Sequence, residues 1–521
     1  MSVSDVIDSH AATAADAILL DRAFGLDDLW RVAHDGARVE LAPEMLDAVA
    51  RNRGAYERAL ADGEPVYGVT TGLGALVGQP LPPARPADVA AGLLRSHAAG
   101  IGRELPRELV RAALAARLRV FAQARSGVRP RLLHAIAALL NHDLVPCVPG
   151  GSLGPAGELT APAHAFLALI GEGDVRNASG HRVPADVGLK QIGLELPALD
   201  AREALALVSG TSFPAAIAGL AAVRTRRALD AADVAAGLAF VALDGARPAL
   251  AARVHALGHV PGQAIAAAHM RTVLAGSDQP HEHRTVLQDP FCLRCAPQVH
   301  GAARAAHGWF EPVVAGELNA ITDNPLVFEE PDEIVSSGAF HGQALASVCD
   351  AMRAALADLA SISERRTFRL LSPTLNRGLP PFLTPQVGAS GYMIVQYTAA
   401  SLVAELRVLA HPVATDSAVV SDYQEDHASN ATLAASMLGD AVERAEAVLA
   451  IELLCAAQAL DLRGDGRACG PNARVAHALI RSRAAALDED RSPSPDIAAI
   501  QELVVSGDLS RLLADLSAGG S

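Results

Sequence analysis

Cys292 and Cys295 are separated by two residues, a spacing that occurs in zinc sites. No second pair of Cys or His follows at the spacing that a tetrahedral zinc site needs. The chain has six cysteines in 521 residues, which is far below the density of a disulfide-stabilised scaffold. We therefore interpret both residues as packing cysteines and predict no metal site.

The charged residues exclude further reaction types and classes of partner. Lys190 is the only lysine, so most schemes that use a lysine Schiff base are excluded and almost every cationic role falls to arginine. The formal net charge of −15 argues against a nucleic-acid or anionic membrane surface, since both need clustered cations. The favoured partner is a small-molecule substrate, with no nucleic acid and no membrane.

Polar and glycine-bearing segments are the remaining candidates for a site, because long glycine-bearing loops inside a folded body usually serve one. Three polar segments interrupt otherwise helical sequence, as expected where a helical bundle opens to present side chains. They are LQDPFCLRCAPQVHG (287–301), LNAITDNPLVF (318–328) and SDYQEDHASN (421–430).

A further loop, GGSLGPAGELTAPAH (150–164), is punctuated by Gly and Pro and runs into an apolar segment. Its centre, Pro155-Ala156-Gly157, carries no nucleophile, base or metal ligand. Ser152 precedes this centre, but a hydroxyl near a turn usually only caps the backbone. Any function of this loop therefore depends on the residues around it, because its centre has no reactive side chain.

The elements that must position these loops are mostly helices. Half of the residues are apolar and only 3% are aromatic, and long Ala/Leu stretches lack β-branched runs, which favours helix over sheet. We predict a loop-rich N-terminal domain at 1–200, a central helical bundle at 201–490 and a C-terminal helical tail at 491–521. The longest helices are predicted at 202–222, 226–257, 340–371, 388–411 and 428–460.

The first twenty residues place acids where a secretion signal would need a basic stretch. Apolar runs such as AADVAAGLAFVAL are too short, or are interrupted by Asp, to predict a membrane span. The expected location is cytoplasmic.

Several motifs occur along the chain in one order: YGVTTGLG (67–74), LLRSHAAGIG (93–102), SGVRP (126–130), QDPFCLRCAPQVHGA (288–302), TDNPLVF (322–328), SGAFHGQ (337–343), SISERR (361–366) and QEDHAS (424–429). In these motifs, and over nearly its whole length, the chain resembles the histidine and aromatic amino acid ammonia-lyase superfamily. The resemblance implies a mostly α, fumarase/aspartase-like fold with a long central bundle. It also implies a homotetramer whose sites draw residues from several subunits.

The family's electrophile, methylideneimidazolone, is made from an Ala-Ser-Gly triplet that aligns here with Pro155-Ala156-Gly157. Its exocyclic methylidene is the β-carbon of the central serine after the hydroxyl has left as water, and Ala156 has no hydroxyl to lose. Pro155 also restricts the backbone that would have to close the ring. Ser209 stands where the family has an asparagine that contacts this group, and Phe291 where it has a tyrosine. We therefore expect no cofactor.

The resemblance assigns roles to the main polar residues. Tyr67 matches the catalytic base that removes the β-proton; because a free tyrosine has a pKa of about 10, the role requires donors that stabilise the phenolate. Arg294 matches the arginine that binds the substrate carboxylate with its planar, two-pronged guanidinium. The alternatives are a buried tyrosine that caps a turn and an arginine in a buried ion pair.

His97 and Glu425 lie in segments where the superfamily recognises an imidazole ring, and a carboxylate suits an imidazole N–H. Glu425 is also included with Tyr67 among the catalytic candidates. The two residues could instead pair only with each other. Asn324 could bind the carboxylate or amine end of a substrate, or form an Asx turn before Pro325. Gln288 and Phe340 are further candidates for lining the pocket. His341 and His427 lie in matching motifs, but their role could be limited to bracing the loops.

These features predict a carbon–nitrogen lyase that works without methylideneimidazolone. That group improves the amine as a leaving group, so without it the substrate must carry its own good leaving group. A histidine-like acid with a trimethylammonium group, such as ergothioneine, meets this need, and ergothionase is the enzyme class of that description. Two alternatives are a non-catalytic homologue that acts as an interaction or regulatory subunit, and a histidine ammonia-lyase-type enzyme with an unusual electrophile.

Overall fold

The computed structural model describes residues 17–20, 22–81, 86–151, 159–195, 199–277, 287–463 and 469–518, and helices dominate it. The α-helices, in chain order, are α1 Leu26–Trp30, α2 Pro43–Ala61, α3 Pro86–His97, α4 Arg107–Ala122, α5 Pro130–Asn141, α6 Thr160–Leu167, α7 Ala185–Gln191, α8 Ala201–Val208, α9 Ser212–Ala242, α10 Ala252–His255, α11 Pro261–Leu274, α12 Phe291–Arg294, α13 Ala296–Asn319, α14 Gln343–Leu371, α15 Met393–Leu409, α16 Ala431–Arg463, α17 Pro471–Arg481, α18 Ser494–Ser506 and α19 Asp508–Ala518. The prediction of a mostly α fold is confirmed.

The β-strands are short and lie mainly in the N-terminal part of the chain. They are β1 Ile18–Leu19, β2 Val39–Glu40, β3 Ile101–Glu104, β4 Val145–Pro146, β5 Pro149–Gly151, β6 Asp174–Arg176, β7 Arg182–Pro184, β8 Leu326–Phe328 and β9 Glu333–Val335. β1 pairs with β2 in parallel, whereas β3 with β5, β4 with β6, β6 with β7, and β8 with β9 are antiparallel. These small sheets hold loop ends together and form no layer of their own.

The long helices α9, α13, α14 and α16 form the central bundle, and α9 packs extensively against α16. Both α9 and α16 are rich in alanine and buried along most of their length. Small side chains on every face allow neighbouring helices to approach closely from several directions, as expected of a core helix. Ala201–Ala242 contains an 18-residue window long and apolar enough to cross a membrane, but that window is entirely buried among the other helices.

The predicted helices at 202–222 and 226–257 are divided differently in the structure. A break at residues 209–211 separates α8 from α9, and α9 then continues to Ala242. Gly210 causes the break: its φ is +101°, and a Cβ there would overlap the carbonyl oxygen of Thr322. The other three long helices lie within a few residues of their predicted bounds.

Ion pairs link the buried helices of the bundle. Arg366 on α14 and Glu452 on α16 are both fully buried, and two N–H groups of the arginine donate to the carboxylate at 2.5 and 2.9 Å. Arg224 on α9 makes a similar two-pronged contact with Glu446 on α16. Each buried carboxylate is thus neutralised by an arginine, and in the Arg366–Glu452 pair both charges are shielded from water.

We expect Glu452→Gln to lower the free energy of unfolding by about 3–5 kcal/mol, because it leaves the Arg366 guanidinium buried without a counter-charge. Urea denaturation measures this change. Lys190→Ala is the control, since the Lys190–Asp186 pair is exposed, and it should cost less than about 1 kcal/mol. Equal effects of the two substitutions would contradict a structural role for the buried pair.

Candidate active site

One cavity of about 650 Å³ gathers residues from segments that are far apart in the chain. Among the site residues predicted from the sequence it contains Tyr67, His97, Ser209, Asn324, Phe340 and Glu425. Its other lining residues are Leu73, Gly74, Leu76, Val77, Leu159, Leu205, Val208, Ser336, Ser337, His341, Ser421, Gln424, Asp426, His427, Ala428 and Ser429. The cavity is thus apolar on one part of its wall and carries acids, amides, hydroxyls and imidazoles on the rest.

Tyr67 begins a loop of residues 67–81, here called the tyrosine loop. The loop is closed by its own backbone, for example by a 2.9 Å hydrogen bond from the N–H of Gly72 to the carbonyl of Gln79. The N–H of Gly74 donates to the phenolic oxygen of Tyr67 at 3.0 Å. A donor at this distance stabilises negative charge on the phenolic oxygen, as a base at this position requires.

His97 is the last residue of α3 and is half-buried. Its Nδ1 lies 2.9 Å from the carbonyl oxygen of Leu93. Because a carbonyl can only accept, Nδ1 is the protonated nitrogen, and in the neutral ring Nε2 is the acceptor left for a ligand.

Ser209 directly follows the last residue of α8 and is buried at the cavity wall. The guanidinium of the fully buried Arg117 donates to the Ser209 carbonyl and, at 3.3 Å, to that of Thr322. Burial lowers the pKa of Arg117 to about 10. Arg117 therefore ties the break between α8 and α9 to the segment that carries Asn324.

Asn324 is held from two sides. Its N–H donates to Asp323 at 2.7 Å, and Arg202 binds both the Asp323 carboxylate, at 2.6 Å, and the Asn324 carbonyl, at 3.3 Å. Its side-chain oxygen accepts from the N–H of Ser337 at 2.8 Å. This partner is thirteen residues away, unlike that of an Asx turn, and it leaves the amide NH₂ of Asn324 as the group that can donate to a ligand.

Glu425 ends a tight turn of residues 420–425, here called the left-handed turn. The backbones of Val420 and Glu425 exchange hydrogen bonds of 3.0 and 3.3 Å. Between them Ser421, Asp422 and Tyr423 have φ values of +52°, +48° and +65°. Three successive non-glycine residues in this region are uncommon, so the surrounding contacts must hold the turn in place.

His341 and His427 stand close together at the cavity, with ring centroids 5.6 Å apart. Nε2 of His341 donates to the backbone carbonyl of His427 at 3.1 Å, which joins two loops. Ser421, Ser337 and Asp426 also line the cavity, and sequence reasoning missed them. Ser337 and Asp426 lie within the motifs SGAFHGQ and QEDHAS, and Ser421 begins the polar segment 421–430, but nothing in the sequence singled them out from their neighbours.

Gln288, Phe291 and Arg294 do not line the cavity of the single chain. Phe291 is 68% exposed, and its ring lies under the guanidinium of Arg294 at 4.5 Å. The Nε–H of Arg294 donates to the backbone carbonyl of Asp289 at 2.9 Å. No Arg or Lys is present among the described residues that line this cavity, so these residues supply no permanent cation for a substrate carboxylate.

Methylideneimidazolone is not matched by the residues at its expected position. Pro155, Ala156 and Gly157 lie outside the described residues, and the sequence has no hydroxyl at position 156. The backbone carbonyl of Ser209 accepts a hydrogen bond from Arg117, and its side chain carries no amide. Phe291 has no hydroxyl, and its ring is exposed. Neither Ser209 nor Phe291 therefore carries the amide or hydroxyl that the family resemblance places at its position.

One group of side chains in the described part of the chain is compact enough to hold a metal ion, namely Asp230, Asp233 and His269. The guanidinium of Arg304 already contacts both carboxylates. Burial opposes ionisation of Asp233, but Arg304, His269 and His300 hold its pKa well below its usual range. The positive charge that balances these carboxylates comes from Arg304. None of these side chains lines the cavity.

The chemistry available in the cavity is proton removal and recognition of a polar ring. Tyr67, with its backbone donor, can accept a proton. His97 and Glu425 offer a hydrogen-bond acceptor and a carboxylate to a ring that carries both a donor and an acceptor. Leu73, Val77 and other apolar residues form one part of the cavity wall.

Comparison with known proteins shows the family of this chain. The aromatic amino acid lyase family matches residues 24–482. Histidine ammonia-lyase of Anaeromyxobacter sp. (strain K) is 44% identical over 509 residues, which cover 95% of this chain and 99% of that protein.

Solved structures give the same result at the level of the fold. Histidine ammonia-lyase from Trypanosoma cruzi superimposes with a TM-score of 0.88 at 34% identity, covering 96% of this chain and 95% of that one. Ergothionase from Treponema denticola, solved with desmethyl-ergothioneine sulfonic acid, has a TM-score of 0.87 at 29% identity, covering 95% and 99%. The chain belongs to the aromatic amino acid lyase family.

Proposed function

We propose that this protein is a lyase that eliminates a good leaving group from a histidine-like, imidazole-bearing carboxylic acid without methylideneimidazolone. Trimethylamine from a histidine betaine such as ergothioneine is the leading example. One observation carries the proposal: a single cavity holds Tyr67, His97 and Glu425, while Ala156 replaces the serine from which the electrophile is made.

The residues in the cavity account for the proton and the electron pairs that move in the elimination. The Tyr67 phenolate takes the β-proton, and the electron pair of that C–H bond becomes the second bond of the C=C. The α-carbon–nitrogen bond breaks, and its electron pair leaves on nitrogen as neutral trimethylamine. A quaternary ammonium cannot be deprotonated by the base, so no electrophile has to activate it.

The ring end of the site favours an imidazole. The Nε2 of His97 accepts a hydrogen bond in the neutral ring, and Glu425 accepts from a ring N–H. A dehydration, or loss of another good leaving group, from a similar acid would use the same residues. The ergothionase likeness supports a betaine, and the histidine ammonia-lyase relatives support the ring.

In this proposal, binding of the substrate carboxylate requires a second subunit. Because the cavity of one chain has no Arg or Lys among its described residues, we propose that Arg294 from another copy completes it in a homotetramer. Exposure of Phe291, directly beside Arg294, is consistent with a surface covered by a neighbouring subunit. The proposed location is the cytoplasm.

The purified protein should release trimethylamine from ergothioneine or from hercynine, and its intact mass should equal the sequence mass with no deficit from dehydration. Mass spectrometry and an assay for free trimethylamine measure both. A dehydration deficit would instead support an electrophile made from the chain. Turnover of a histidine-like acid with a different leaving group, but of neither betaine, would keep the ring assignment and remove the betaine.

Tyr67→Phe should lower kcat by about 10²–10⁴-fold, because it removes the proton acceptor and keeps the ring. Tyr397→Phe is the matched control, since Tyr397 is exposed on α15 and does not line the cavity. Its kcat should equal that of the unmodified protein. Unchanged elimination by Tyr67→Phe would show that another group is the base.

Arg294→Ala and Tyr67→Phe should each be nearly inactive alone but regain activity when their subunits are mixed. If the two residues come from different copies, about a quarter of the sites in a random mixture hold both intact side chains. Steady-state assays after co-refolding measure the recovery, and native mass spectrometry checks that mixed oligomers formed. Mixed oligomers without recovered activity would mean that both residues act within one chain.

A further inference from the structure

The tyrosine loop and the left-handed turn meet at Gly74 and Ser421, which are 347 positions apart in the chain. The side-chain oxygen of Ser421 accepts a hydrogen bond from the N–H of Ala75 at 3.1 Å. The contact is close enough that a Cβ on Gly74 would overlap the Ser421 hydroxyl, and it would lie 3.8 Å from Oε1 of Glu425. The loop that carries the base is thus seated on the turn that carries the ring-binding carboxylate.

Two adjacent amides of the tyrosine loop are used in this contact. The N–H of Gly74 donates to Tyr67, and the N–H of Ala75 donates to Ser421. The two donors belong to successive residues, and Gly74, whose φ is +54°, is the residue whose backbone joins them. Because only the two backbone torsions of Gly74 join these amides, holding the Ala75 amide restricts the direction of the Gly74 amide relative to the phenolic oxygen.

The left-handed turn transmits this constraint to Glu425. The backbone pairing of Val420 with Glu425 closes the turn, so Ser421 and Glu425 are presented from the same closed unit. A displacement of Glu425 by a bound ring would move Ser421, and with it the amide that supports Tyr67.

We propose that Ser421 is a positioning residue that couples recognition of the substrate ring at Glu425 to placement of Tyr67 for proton removal. The inference rests on the proposed function, in which Tyr67 is the base and Glu425 binds the ring. Ser421 does not touch the reacting atoms in this scheme; it acts through the Ala75 and Gly74 amides.

The backbone offers a variant that removes the hydroxyl without opposing the fold. Ser421 has a φ of +52°, a conformation that glycine adopts more readily than serine, so Ser421→Gly should fold at least as well as the unmodified chain. Asp422→Gly is the matched control: its φ is +48°, its side chain is exposed, and it does not line the cavity. Both variants gain the same backbone freedom, but only the first loses the bond to Ala75.

Hydrogen–deuterium exchange tests the contact without any substrate. Peptides covering 72–80 should exchange faster in Ser421→Gly and Ser421→Ala than in the unmodified protein or Asp422→Gly. Added L-histidine, used as the imidazole-bearing probe, should slow exchange in this segment of the unmodified protein and have less effect in the Ser421 variants. Equal exchange in all four proteins would overturn the inference, whether or not the protein releases trimethylamine.

Kinetics then separate positioning from a merely structural role. Once a turned-over substrate is identified, Ser421→Gly should lower kcat by about 10- to 100-fold with a smaller change in KM, and its pH profile of kcat/KM should move to higher pH because the phenolate has lost an oriented donor. Asp422→Gly should keep both the rate and the profile. An unchanged profile in Ser421→Gly would overturn the proposed coupling. Faster exchange together with no activity on any tested acid would instead count against the proposed function alone.

Discussion

Close packing of alanine-rich helices is the constraint on which the rest of the structure depends. α9 and α16 are buried on nearly every face, so a charge that enters the bundle must find its partner there. Arg366 with Glu452 and Arg224 with Glu446 satisfy this requirement between helices. Such a core is rigid and offers little room of its own, which leaves ligand binding to the loops at its margin.

Buried arginines extend that rigidity to the loops of the site. Arg117 joins the end of α8 to the Thr322 segment, and Arg202 fixes the backbone around Asn324. The tyrosine loop is supported differently, through its own backbone and through Ser421. We infer that the part of the site that holds the substrate is fixed by the core, whereas the loop that carries the base also relies on the hydrogen bond between Ala75 and Ser421.

In the proposed function, Ala156 stands where the family has a serine, and the substrate therefore has to carry its own good leaving group. The residues proposed for proton removal and ring recognition occupy the cavity, while those that would make or contact an electrophile are Ala156, Ser209 and Phe291. A site released from all function would be expected to lose its base and ring-binding residues as well. Their joint presence supports a changed leaving group over a loss of catalysis.

The sequence by itself determined the helical class, the family and several polar residues of the cavity, because apolar composition and short motifs such as YGVTTGLG and QEDHAS are local properties of the chain. It could not determine the break at Gly210, since that glycine is required by the approach of Thr322 from a distant segment. For the same reason it missed Ser421, whose importance lies in the Ala75 amide that faces it. Tertiary structure alone decided that His97, Asn324 and Glu425 share one cavity and that Arg294 of the same chain stands outside it, because only packing fixes which loops meet.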